Sequence, residues 1–371
     1  MCINEFSNEV YSSVLGKLGL NPACVEQRIR KSGCGEKERF NITMPVWGRE
    51  YVIMFLDTAL PCILADNNLP YIAKNADVNF DIYVPESDVS TLKNSRSFEL
   101  LSSLCSVRIF VFSDSAVDDM INNYTLMALC HTLELQISKR EGATVVFLCP
   151  DIVISNGGLK LIYEKFLEGY KAVLGNSVRL VKETGLGEFH NEFGSGEVIK
   201  VDSAALVRFG LNHLHPQVDA VSWDGSRKSP MSCGLVWNVP GEGLILKSFQ
   251  WHPFAVRADA VQAKVDTVID SSLFSDSFLS MENTYLITDS SEFSYFEFSP
   301  GEMGSGGLGR ENSLTLNIIA EWAKSNTSML QHDIFKSNLL LHCGMHSHLW
   351  DAKLEDVAVV EREIFMLMGL N

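Results

Sequence analysis

The chain has 371 residues, 46% of them apolar and 20% charged, which is the profile of a globular protein with a sizeable core and excludes disorder and fibrous architectures. The 30 Lys and Arg stand against 46 Asp and Glu, and a formal charge of −16 repels phosphate backbones and anionic lipid, which argues against nucleic acid as a partner. Nine cysteines, an odd number without a CxxC pair, read as reduced thiols, mostly buried.

Residues 1–37 form a polar lead-in of one or two short helices, without the basic start and apolar run of a secretory signal, so we expect a cytoplasmic protein. Arg39 to Trp47 (RFNITMPVW) is rich in β-formers, stops at Gly48 and hands over to an apolar helical segment at 50–65. Asp57 and Pro61 interrupt that segment, which is too short to span a bilayer and reads as a buried helix. Strands follow at Asn79–Val84, Ser106–Phe112 and Thr144–Cys149, each a nearly continuous apolar run of the kind covered on both faces. Between the last two, Leu126, Leu129, Leu133 and Ile137 recur at helical spacing. A helix at 157–169 and a strand near 171–175 come next.

This alternation predicts an α/β fold with a Rossmann-type, mainly parallel sheet flanked by helices over 38–175. A mixed, aromatic-rich region at 176–300 reads as the acceptor side, and 301–371 as a glycine-rich loop followed by C-terminal helices. Ligands of parallel sheets bind beyond the carboxyl ends of the strands, so the informative loops are 47–49, 85–88, 113–119 and 150–155.

Within Thr144–Ser155 (TVVFLCPDIVIS), a buried strand runs directly into Asp151. A carboxylate at a strand tip can hold a divalent cation that bridges two phosphates, although an Asp there can equally cap the helix that starts near Gly157. At these residues the sequence resembles the GT-A glycosyltransferases, nucleotide-sugar-dependent enzymes with a Rossmann-like sheet that ends in a DxD motif. The resemblance covers roughly 38–300. It implies that the loop Trp47, Gly48, Arg49 touches the nucleotide, with a UDP-sugar favoured as donor, and that Asp151 takes the last acidic position of the metal motif. The motif here reads CPD, with Cys149 at the first acidic position, so a second metal ligand must come from elsewhere. In that family a late His often joins the metal or diphosphate, and His252, in the run GEGLILKSFQWHPFAV, is the candidate for manganese or magnesium.

Glu242 and Asp270 are candidates for the base that takes a proton from an acceptor hydroxyl, and Asp289 for an acceptor contact. Trp223, Trp237 and Trp251 could stack on sugar rings, although most large aromatics are core. Arg179 and Arg49 are candidate diphosphate contacts. Two signals compete. Gly304–Gly309 matches GxGxxG, but no second strand follows it, so it reads as a glycine-rich loop over the site rather than a dinucleotide fingerprint. His342 and His346 have the spacing to share a helix face and hold zinc, with His348 nearby and no acidic partner of the HExxH type. The expected activity is transfer of a sugar from a nucleotide diphosphate to a hydroxyl-bearing, carbohydrate-like acceptor, assisted by a divalent cation. A nucleotidyltransferase on a similar sheet, or a non-catalytic sugar-binding scaffold that has lost its metal site, are the alternatives.

Overall fold

The computed structural model of the chain describes residues 6–30, 37–118, 123–225, 233–262, 264–265, 268–274, 277–302, 315–344 and 347–370. The largest sheet holds β1 (Arg39–Pro45), β2 (Asp77–Pro85), β3 (Ser106–Phe112), β4 (Thr144–Phe147), β6 (Ala172–Gly175), β10 (His252–Arg257) and β11 (Thr284–Leu286). Their order is β11-β6-β10-β4-β1-β2-β3, and β10 runs against the other six, which are mutually parallel. The fold is therefore α/β, and the five strands expected from the sequence lie in one mainly parallel sheet.

Their apolar runs have the anticipated cause. Phe40 and Phe80 project to one face, where Phe55 of the helical segment 49–63 stacks on Phe80 and Tyr163 of the helix Gly158–Leu167 tilts against Phe40. The other face carries the helix Asn123–Glu141. Within the segment 49–63, residues Phe55–Ala59 widen into a π-turn. Pro61 has no N–H to donate to the carbonyl of Asp57, which accounts for the lost α-helical bond.

Among the described residues, two smaller sheets lie beside the largest one. β5 (Ile152–Ile154), β12 (Tyr295–Ser299) and β7 (Val178–Val181) form one, with β12 in the centre. The other holds β8 (Gly234–Val239), β9 (Gly243–Ser248) and β13 (Leu339–His342), which build a separate hydrophobic cluster with the helices Leu316–Asn326 and His348–Met368. The run GEGLILKSFQWHPFAV is thus not one strand. Its first half is β9, in the small sheet, and His252 opens β10.

The last helix begins at His348, where the Ser347 side chain caps it by accepting from the Leu349 N–H at 3.2 Å. His342 ends a strand, so it shares no helix face with His346, which lies outside the described residues, as does Gly304–Gly309. Of the cysteines, Cys62 and Cys130 are buried, Cys24 is exposed, and Cys105, Cys149, Cys233 and Cys343 are partly covered. Among the described residues no helix is long and apolar enough to cross a membrane.

Candidate functional site

β1 and β4 are parallel neighbours, so Trp47 and Asp151 leave the sheet at the same carboxyl edge. After β1 the chain stays attached through the Val46 N–H, which donates to the Tyr83 carbonyl at 2.9 Å. Trp47 donates through Nε1 to Asn123 at 3.3 Å. Gly48 has φ 82°, a left-handed conformation that a side chain would strain, and its N–H reaches the buried Asp88 carboxylate at 2.9 Å. Arg49, at the start of the next helix, lines a cavity of about 420 Å³ together with Glu50, Asp57, Thr58, Lys182 and His190. Lys182 pairs with Glu50 at 2.6 Å, and the His190 ring meets the Thr58 hydroxyl at 3.0 Å.

The end of β4 turns through Cys149 and Pro150 into Asp151, whose carbonyl accepts from the Phe298 N–H of β12 at 2.8 Å. That contact brings β12 over the sheet edge and delivers Glu297. In register, Glu297 faces Ile152 on one side and Arg179 on the other. Its carboxylate accepts from the Ser177 hydroxyl at 2.6 Å and the Tyr295 phenol at 3.3 Å, and lies 3.5 Å from Arg179 Nε. Arg179 also donates through Nη1 to Gln217 at 3.0 Å, and the Tyr124 phenol, beside Asn123, reaches the same guanidinium.

Electrostatics tie the group together. Burial, and then the Glu297 charge, push the Asp151 carboxyl up to about 7, with Arg179 opposing them. Burial also raises the Cys149 thiol well above its ordinary range, reinforced by Asp151, Glu297 and Asp270, so it stays a neutral thiol. His252 places Nδ1 2.9 Å from Asp270 Oδ1 and stacks on Tyr295 with ring centroids 6.0 Å apart. Burial alone would lower its pKa, but Asp270 and Glu297 outweigh that and raise it. His252 reaches the edge because β10 is antiparallel, so the start of this strand lies beside the ends of its neighbours, with His252 opposite Gly175.

The structure thus gathers Trp47, Gly48, Arg49, Asp151, Arg179, His252 and Asp270 at one edge and adds Glu297, which the sequence reading missed. A lone acid between the buried aromatics Phe296 and Phe298 was the available signal. The other candidates are engaged elsewhere. Glu242, in the β8–β9 turn, accepts from the Ser347 N–H and from Trp350 Nε1 at 2.8 Å, which makes it an anchor of the last helix. Trp237 is fully buried and donates to Asp356 at 2.8 Å, and Trp223 packs on the same C-terminal core. Trp251 is fully buried in the main core. The expectation of stacking platforms is corrected for Trp237 and Trp251, because each fills an interior volume and leaves no face for a sugar. Asp289 accepts from Ser291 and faces His342 Nε2 at 2.9 Å, which makes it a turn-former held against β13.

The metal expected at Asp151 and His252 would find a sparse donor set. Among the described residues no group of three or more His, Cys, Asp or Glu side chains is arranged to hold an ion. His252 turns Nδ1 to Asp270 and leaves Nε2 buried without a hydrogen-bond partner, the Glu297 oxygens are taken by Ser177, Tyr295 and Arg179, and a neutral thiol is a poor ligand for manganese or magnesium, so Nε2 and the Asp151 carboxylate are the donors left to an ion.

No protein-family model matches the chain, and no curated protein matches it by sequence. Solved structures do match at low similarity. They include a glucose-1-phosphate thymidylyltransferase from Bacillus anthracis (12% identity, TM-score 0.26, covering 38% of this chain and 55% of that one). Mouse xyloside xylosyltransferase 1 matches at 12% identity and TM-score 0.26, covering 42% and 58%, and S. aureus TarS at 10% and 0.30, covering 80% and 42%. The chain therefore spans 42–58% of the length of these three proteins.

Proposed function

We propose that the chain is a transferase that moves a sugar from a nucleotide diphosphate donor to an acceptor hydroxyl. The observation that carries this reading is the convergence, at the carboxyl edge of a parallel sheet, of the Trp47–Arg49 loop with a partly open assembly of Arg179, Asp151, Glu297 and the His252–Asp270 pair.

In this reading the Gly48 backbone and the Trp47 and Arg49 side chains receive the nucleotide. The bond between the anomeric carbon and the β-phosphate oxygen breaks, and its electron pair stays on the departing diphosphate. The acceptor oxygen forms the new bond and its proton passes to a carboxylate. Asp270 is the candidate for that base, since it is partly exposed and its other side is held by His252.

The test is a thermal-shift panel of UDP, GDP and CMP and their sugars. A nucleotide present at about 100 times its Kd should add roughly 2.7 kcal/mol of stability. A UDP-sugar that stabilises the protein and is consumed when a glycan acceptor is added supports the reading. Binding of sugars alone, with no nucleotide, would favour the scaffold alternative, and consumption of a nucleoside triphosphate with a sugar phosphate the nucleotidyltransferase.

A further inference from the structure

We propose that Arg179, held by Glu297 and Gln217, supplies the positive charge that receives the donor's diphosphate, in place of a divalent cation. The inference rests on the sugar-nucleotide reading and specifies how its leaving group is stabilised.

Three observations carry it. Arg179 sits beside the strand-tip Asp151, where the resemblance placed a metal, with its partner Glu297 in direct register on the adjacent strand. The donor set for a metal is sparse at the same spot, where a neutral thiol stands at the first acidic position, the Glu297 oxygens are engaged by Ser177, Tyr295 and Arg179, and among the described residues no three His, Cys, Asp or Glu side chains gather. The guanidinium is also reachable, with its side chain 32% exposed, and the 3.5 Å contact to Glu297 is looser than the 2.5–2.7 Å contacts of the interior Arg108.

An Arg has the planar fork that matches two phosphate oxygens, and its charge does not titrate near neutrality. Glu297 and Gln217 hold the fork in place before the ligand arrives, and an incoming diphosphate offers more negative charge than the single carboxylate it displaces. The departing diphosphate then keeps its electron pair against a fixed cation, which lowers the barrier without a bound ion. Tyr124 and Asn123 connect this guanidinium to the Trp47 loop, so the two ends of the donor would be read by one continuous edge.

The experiment measures UDP and inorganic pyrophosphate binding by calorimetry, in EDTA and in manganese, for the wild type, Arg179→Met, Arg179→Lys and Glu297→Gln. Wild-type affinity should be the same in both conditions. Arg179→Met should weaken binding at least tenfold, and Arg179→Lys should fall between them, while Glu297→Gln serves to separate an ion held by carboxylates from the guanidinium. Wild-type binding that needs manganese, and loses that need in Glu297→Gln, would show that the carboxylates hold an ion and would overturn the proposal while leaving the transferase reading intact. If Arg179→Lys folds with an unchanged melting point and binds like wild type in EDTA, with Arg179→Met doing the same, the guanidinium is not the receiver. Absence of any UDP or pyrophosphate binding by the wild type would remove the sugar-nucleotide reading and this inference with it.

Discussion

Two arginine–carboxylate assemblies, one on the large sheet and one on the small sheet β5-β12-β7 at its carboxyl edge, differ in closure. In the interior, Arg108 donates to both oxygens of Asp81 at 2.5 Å and to Glu141 at 2.7 Å, with its side chain only 4% exposed. Every neighbour is also engaged. Tyr83 and Ser138 donate to Glu134 at 2.9 and 2.7 Å, Asn41 reaches Ser138 and Glu141, and Asn79 donates to Asn41. At the carboxyl edge, Arg179 shares Glu297 through a longer contact and remains a third exposed. The same residue types are therefore structural where each donor and acceptor is satisfied out of water, and available for a ligand where the set is left open.

The interior assembly sets three carboxyls against one guanidinium, an excess of buried negative charge that favours a retained proton. Asp81 is directly paired with Arg108, which leaves the proton on Glu134, whose carboxyl burial pushes well above the ordinary range, with the Asp81 charge adding to it.

The largest test of the contrast is to remove each arginine in turn. Arg108→Met should destabilise the protein by about 3–5 kcal/mol, because it strands buried carboxylates. Arg179→Met should change stability by less than about 1 kcal/mol, the range of a partly exposed pair. Urea unfolding of both variants checks this, and equal losses would erase the distinction.

A smaller effect concerns pH. The folded protein binds the Glu134 proton more tightly than the unfolded chain does, so the stability this contributes is complete below the ordinary carboxylate range. It is lost as pH rises through the elevated folded value. Glu134→Gln keeps an amide donor for Asp81 and has no proton to lose. Unfolding free energies measured from pH 4 upward should therefore show the variant gaining on wild type as pH rises, by about 1.4 kcal/mol for each pKa unit of elevation. A constant difference across the range would place the retained proton elsewhere.

The smallest effect is at the edge. Ser177→Ala removes one donor to Glu297 and should cost less than about 1 kcal/mol, with UDP affinity moving about twofold or less. A tenfold change in calorimetric affinity would mean that the edge assembly is as tightly interlocked as the interior one.

Much of the fold was legible in the sequence because its central strands are covered on both faces and so read as apolar runs. Arg39–Pro45, Asp77–Pro85, Ser106–Phe112 and Thr144–Phe147 each lie within about two residues of the expected bounds. Asp151 was legible for the same reason, as the first charge after such a run. The partners of these elements were not. Strand pairing across a hundred residues leaves no period in the chain, so neither the insertion of β10 between β4 and β6 nor the arrival of Glu297 beside Asp151 could be read locally. Trp237 and Glu242 misled because an aromatic and an acid near a turn look alike whether they face a ligand or, as here, anchor the helix His348–Met368.

The antiparallel β10 also dictates an order of assembly. When the chain is synthesised from its amino end, β4 and β6 both exist once residue 175 has emerged, yet they are not partners. The slot between them is filled only by residues 252–257, and β6 gains its outer neighbour only with 284–286. Until then one edge of β4 and both edges of β6 stand open with unpaired backbone groups, the condition that invites pairing with other chains. Fragments that end before residue 257 should therefore need a chaperone or aggregate, and folding of the whole chain should be slow, governed by the late closure of this one strand.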